Sequence, residues 1–380
     1  MVRLSFIMST KSLEPKRVLP SGKIKSKKTS KKAIKVVKTK LRSIKDSSLV
    51  LVSSLGIEFD DKDIECLYYI KLHNSFDALN CNTPYLLRNN KTNINIIIQN
   101  LFTGKGVMTN CLSLSDSTSE GQRPGSHSKM IYIEFDDMII WIMHSCPKWP
   151  SIDFDPSVPS TYTINGGLKH NAQHFNIIKF KKNPLEIGQT NKFRKIIFTH
   201  IINMNSKSYK YYIDNLSGDV KTMFDKIKSD HEFNIIYQQL TEKIFLISKP
   251  TTSSIFKQID IYDYIVDLYG DIKVFDHKDR QTPNKNNPCY NCDLDPALRS
   301  SCIHRGSLLN TSHIKMMNKM ENVDCDIKRT KNHTKFGITT NNKYIFMGDL
   351  NRAYSQNYRG GGFIIHLNEN AWNLFNTSLK

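Results

Sequence analysis

The sequence predicts an α/β protein made of two like α/β halves behind a disordered basic tail. Three observations carry this reading. Short runs crowded with β-branched and aromatic residues recur along the body, with at least one apolar stretch at helical spacing. The triplet His-x-Lys stands ahead of a hairpin pattern twice, at His127-Ser-Lys129 and at His333-Thr-Lys335. Positive charge is concentrated at one end of the chain. The boundaries that follow are 1–45 for the tail, 46–190 for the first half and 191–380 for the second.

Of the formal net charge of +19, Lys11 to Lys45 carries +13, fourteen Lys or Arg facing the single acid Glu14. Arg3 adds one more, which leaves about +5 for the body. The body is therefore only mildly basic, and charge alone assigns it no polyanionic substrate. Lys11–Lys45 has no aromatic residue and little to bury, so disorder is expected. Such a segment gives salt-sensitive affinity for nucleic acid or a nuclear-targeting signal; a merely solvating tail is the plain alternative. No run of about 18 apolar residues occurs, so neither a transmembrane helix nor a membrane partner is expected. Met1–Ser9 runs straight into the lysine-rich tail and makes a poor secretory signal. Eight cysteines are too sparse for a disulfide scaffold in 380 residues. Together these features point to an intracellular location, cytoplasmic or nuclear.

Along the body, Ile64–Leu72 and Ile94–Ile98 are expected as strands. Ser115 to Ser128 is a loop rich in Ser, Gly and charge that ends at the first triplet. Met130–Phe135 and Met138–Met143 flank a tight turn at Asp136-Asp137, the pattern of a hairpin. Phe193–Asn203 and Ile235–Ile247 mix helix and strand signals and stay unassigned. Ile259–Leu268 has helical spacing and ends at Gly270. Gln281–Asp326 is a polar, cysteine-bearing surface excursion. Within it, Cys289, Cys292, Cys302 and His304 have zinc-like spacing, but a single incomplete pattern leaves free thiols as the default and no cofactor in the reading. Phe336–Thr340 and Lys343–Met347 flank Asn341-Asn342 and form the second hairpin.

A third triplet, His313-Ile-Lys315, is set aside because no hairpin pattern follows it; chance alone would supply about one such triplet. After His127 the hairpin returns to His144, and after His333 to Asn351. A hairpin brings its ends side by side, so each half offers an imidazole, an ammonium and a second polar group on one rim. Two such rims facing each other form a site of near-twofold symmetry. That set suffices for phosphodiester cleavage without a metal. One neutral imidazole attacks phosphorus and a second, protonated one donates to the leaving oxygen. The lysines and their neighbours neutralise the nonbridging oxygens. One neutral and one charged imidazole place the activity maximum on the acid side of neutrality.

These motifs, with Trp141-Ile-Met-His144-Ser-Cys-Pro147-Lys-Trp-Pro150, Gly348-Asp349-Leu350-Asn351-Arg352 and Arg359-Gly360-Gly361-Gly362, resemble the deoxyribonuclease II family. That family is similar in fold to phospholipase D enzymes, a pseudodimer of two α/β halves that each give one His-x-Lys. The likeness runs more weakly through Ile64–Leu72, Asn171–Phe180 and Ile261–His277 and covers most of residues 55–376. It implies a metal-independent endonuclease on DNA that leaves 3′-phosphate and 5′-hydroxyl ends, complete as a monomer. Carried over, His127 matches the nucleophile and His333 the general acid, the reverse assignment being the alternative that the pseudosymmetry leaves open, while Lys129, His144, Lys335 and Asn351 match phosphate-holding positions. Arg352 is placed with them, a structural ion pair being its alternative, and Arg359–Gly362 either cradles phosphate or lets backbones pack closely. The chain departs from family members by its basic tail in place of a signal peptide, and by Gly337, Phe346 and Ile365 where relatives often carry cysteine. A phosphodiesterase on RNA or lipid, and a silent nucleic-acid-binding or host-interaction protein, are the alternatives.

Overall fold

The computed structural model describes residues 51–53, 58–72, 74–82, 91–114, 125–147, 149, 158, 164, 169–205, 211–251, 260–275, 308–310, 313–318, 323–328, 333–351, 356 and 358–378. The basic tail, Arg352 and the Cys289, Cys292, Cys302 and His304 group lie outside the described residues.

The chain is a mixed α/β structure around two eight-stranded sheets. The first runs β4 (Lys91–Asn93), β3 (Asp77–Asn80), β2 (Ile64–Lys71), β8 (Gln173–Lys181), β7 (Met138–His144), β6 (Met130–Phe135), β5 (Met108–Leu114), β9 (Tyr211–Asn215). The second runs β1 (Leu51–Ser53), β10 (Ile235–Gln239), β11 (Ile244–Lys249), β18 (Gly361–Leu367), β17 (Tyr344–Gly348), β16 (Phe336–Thr339), β12 (Ile272–Phe275), β13 (Leu308–Asn310). Pairing is antiparallel except at the ends of the second sheet, where β1 joins β10 and β12 joins β13 in parallel. In both sheets the strand bearing the lysine end, β2 or β11, lies beside β8 or β18, and the hairpin β6–β7 or β16–β17 follows on the far side. The edges are exchanged along the chain: β1 precedes every strand of the first sheet yet joins the second, and β9 comes after β8 and closes the first.

Apolar residues alternate across each strand because side chains of a strand point to opposite faces. In β7, Ile139, Trp141 and Met143 enter one core while Ile140 and Ile142 enter another. Both faces are covered, which is why these strands read as nearly unbroken apolar runs. The helix α1 (Ile94–Phe102) lies on the outer face of the first sheet and α4 (Ile261–Tyr269) on the outer face of the second. Between the sheets, α2 (Ile187–Met204), α3 (Gly218–Asp230) and α5 (Glu369–Ser378) share the largest core with Tyr68, Tyr132, Trp141, Leu246, Ile345 and Ile364. The buried carboxylate of Glu134 ties β6 to this layer through Arg194 of α2, and through Lys182 at 2.8 Å. Burial alone would raise its pKa, but those two cations outweigh burial and hold it below the usual range. No described helix is long and apolar enough to cross a membrane.

Three expectations need correction. Ile94–Ile98 is helix, because Ile94, Ile98, Leu101 and Phe102 fall on one buried stripe and Asn93 caps it by accepting the Asn95 N–H at 2.9 Å. The Gln281–Asp326 stretch contains strand: β13, and the pair β14 (His313–Asn318) and β15 (Val323–Lys328). His313 therefore lies inside a hairpin strand, opposite Lys328, rather than ahead of a hairpin or without one. The two unassigned segments become α2 and the antiparallel pair β10–β11. The helix expected before Gly270 forms as α4, where Gly270 takes φ 88° and donates its N–H to Val266.

Candidate active site

Each His-x-Lys enters the strand that opens a hairpin, and the hairpin closes on the lysine. The His144 N–H donates to the Lys129 carbonyl at 3.0 Å, and the Gly348 N–H donates to the Lys335 carbonyl at 3.0 Å. Each lysine then folds back on its own histidine: Lys129 Nζ reaches the His127 carbonyl at 3.0 Å, and Lys335 Nζ the His333 carbonyl. Both lysines are buried and both histidines are partly exposed. The hairpin return that matches His144 is thus Gly348, not Asn351 as its place in the chain suggested, because the second hairpin is two residues tighter between paired positions: Met130 pairs Met143 while Phe336 pairs Met347.

The two motifs are stitched across the sheets by backbone. The His127 N–H donates to Gly360 at 3.0 Å, just ahead of β18, and the His333 N–H to Ala172 at 2.8 Å, just ahead of β8. Arg359 donates to Ser126 at 2.7 Å and Gly125 at 3.2 Å, and the Lys335 N–H donates to Nδ1 of His174 at 3.3 Å. His127 Nδ1 bonds to the Asp349 carbonyl. A carbonyl only accepts, so Nδ1 carries the proton and Nε2 keeps the lone pair.

Burial holds the His127 pKa well below its ordinary value, and Lys129, Arg359 and Lys335 push the same way, against the pull of the Asp349 carbonyl. The imidazole is therefore neutral well into acid. The same two lysine charges reach Asp349 and His174. Burial, then Lys335 and His144, keep His174 neutral, with its Nε2 meeting no partner among the described residues. Burial raises the Asp349 carboxyl despite the Gly362 N–H, which it accepts at 2.9 Å, and both lysines. Two lysines, a guanidinium and neutral imidazoles thus lie within electrostatic reach of one another, an environment suited to a diester anion.

The other expected residues are placed unevenly. Asn351 is partly exposed, and its Oδ1 has no partner among the described residues. His144 is fully buried, edge-on to Trp149 at 4.7 Å and stacked on Phe175 at 5.9 Å. The Gly360 and Gly362 amides are taken by Thr251 Oγ1 and Asp349 Oδ1. A Cβ on Gly360 would lie 1.9 Å from the Met204 carbonyl oxygen, and one on Gly362 2.4 Å from that of Ile247. Close backbone approach is thus what the glycines permit. From the sequence His174 reads as non-catalytic, and Asp349 stands within the Gly348–Arg352 motif without a role of its own. Besides that motif the available signal is position: His174 lies at the start of β8 and Asp349 just after β17. Cys66, Cys81, Cys111 and Cys146 are buried and form no disulfide among the described residues.

The family model described as Deoxyribonuclease II matches residues 60–380. A comparison with curated proteins gives no match.

Proposed function

The chain belongs to the deoxyribonuclease II family, which makes it a hydrolase of DNA, and from that premise we propose that it cuts DNA without a metal through a phosphohistidine. In this reading residues 46–190 and 191–380 are two phospholipase D-like halves of one pseudodimer, with exchanged edge strands, and the chain acts as a monomer. The like order of strands in the two sheets and the matched closure of both hairpins on Lys129 and Lys335 support it.

The observation that carries the mechanism is the bond from His127 Nδ1 to the Asp349 carbonyl. It leaves Nε2 as the nucleophilic nitrogen of a neutral ring. Nε2 attacks phosphorus, the bond to the 5′ oxygen breaks, and His333 gives that oxygen its proton. Water then attacks the phosphohistidine, His333 takes a proton from the water, and the phosphorus–nitrogen bond breaks to leave a 3′-phosphate. Lys129 and Lys335 balance the charge that builds on the nonbridging oxygens, and Asn351 and Arg352 keep the phosphate-holding part that the family resemblance implies. His144 acts through Lys129, whose carbonyl it holds from a buried position. The protein works inside the cell, where the basic tail adds salt-sensitive hold on DNA.

The test is plasmid cleavage in EDTA between about pH 4 and pH 8, beside His333→Ala, with analysis of the ends formed. Nicking that survives EDTA, peaks below neutrality, leaves 3′-phosphates and vanishes in the variant is expected. A requirement for a divalent ion would overturn the phosphohistidine, and a wild type that binds DNA without cutting it would favour a silent binding protein.

A further inference from the structure

We infer that Lys71 and Lys249 are a matched pair of positioning residues, each fixing the loop that holds the histidine of the opposite sheet. The inference rests on the hydrolase reading above for its catalytic consequence. Lys71 ends β2 opposite Gln173, the first residue of β8; Lys249 ends β11 opposite Gly361, the first residue of β18. These are the same place in the two sheets. Both lysines are buried, at 0% and 1% exposure, where an ammonium must have a purpose that outweighs its desolvation.

That purpose is visible in where the ammoniums go. Lys71 Nζ donates to the Lys169 carbonyl at 3.1 Å, and to Leu72 and Ser75 at 2.9 and 3.0 Å. Three residues after Lys169, the Ala172 carbonyl receives the His333 N–H. Lys249 Nζ donates to the Gln356 carbonyl at 3.1 Å, and four residues on, the Gly360 carbonyl receives the His127 N–H. Arg359, in the same loop, donates its own N–H to that Gln356 carbonyl and its guanidinium to Gly125 and Ser126. Each path thus runs from a buried lysine in one sheet, through a short loop, to the backbone of a His-x-Lys that opens a hairpin of the other. Lys249 serves His127, the nucleophile; Lys71 serves His333, the acid.

The crosswise assignment is what the experiment reads. Lys71→Met and Lys249→Met are compared with wild type by amide hydrogen exchange and by cleavage of two substrates. Loss of the Lys249 anchor should speed exchange of the His127 amide roughly tenfold or more and leave that of His333 alone; Lys71→Met should do the reverse. Thymidine 3′-(4-nitrophenyl phosphate) has a leaving group that needs no general acid, so first-turnover release of 4-nitrophenolate reports on the nucleophile. Lys71→Met should then lose roughly tenfold on DNA and little in that first turnover, whereas Lys249→Met should lose roughly tenfold in both. Where a methionine variant does not fold, Lys→Gln at the same position, too short for the same carbonyl, is measured instead. Exchange that rises equally at both histidines, or two variants that slow both substrates alike, would show a purely structural role and overturn the inference. A wild type that cleaves neither substrate while exchange responds crosswise would overturn the hydrolase reading and leave the strapping in place.

Discussion

Gly360 carries more of the site than its size suggests. Its carbonyl receives the His127 N–H, its own N–H goes to Thr251, and a methyl group there would meet the Met204 carbonyl at 1.9 Å. Backbone cannot give way as a side-chain tip can, so Gly360→Ala should cost about 1–3 kcal/mol or more in urea denaturation and lower kcat with it. Gly188, in the first turn of α2 with open space around it, is the control. Gly188→Ala should gain about 0.4–1 kcal/mol and leave activity unchanged. At this scale the two His-x-Lys triplets were legible because triplet, strand, turn and return lie within some twenty residues of each other, and local pattern reports on local structure. His174 was not, because what gives it a role is the backbone N–H of Lys335, 161 residues away. Chain spacing sets Asn351 against His144 for a related reason: the register of the paired strands, which decides the match, is not written in the spacing.

Among the elements, the hairpins and α4 could be read and α1 could not. The run Ile94-Asn-Ile-Ile-Ile98 has the composition of a strand. Its buried positions repeat at helical spacing only once Leu101 and Phe102 are counted, and Ile96 is left 49% exposed. Composition and periodicity disagreed over five residues, and packing chose the period. The joint between β6 and α2 depends on a different feature, the Glu134 carboxylate with Arg194, Lys182 and the Tyr132 hydroxyl at 2.9 Å. Glu134→Ala would strand two cations that are 13% and 16% exposed, so it should cost about 3–5 kcal/mol by chemical denaturation. A double variant that replaces Glu134 and Arg194 by methionine should recover a large part of that loss.

The stability of the whole molecule runs against the acid optimum proposed for its activity. Burial holds His200 at about 3 and His366 at about 4, and keeps His144 and His174 well below the ordinary 6.5. The unfolded chain takes up these protons more readily than the folded one. The stability they confer is therefore complete above pH 6.5 and is lost as pH falls from there towards about 3. Urea midpoints at successively lower pH should fall across that window, and replacing His200 by a neutral isostere such as Asn or Gln should flatten the decline. The exchange of β1 and β9 between sheets was invisible in the sequence because an edge strand of three to five residues carries no mark of which sheet it will join. The crossed straps add something to that exchange. Two independent halves, each with a whole site, would leave one competent while the other is still unfolded. Here the carbonyl that readies His127 belongs to a segment some two hundred residues further on, after β17. Under the mechanism proposed above, a nascent or partly melted chain has no armed nucleophile, and the fold acts as a safety catch that releases only when the last strands are in place.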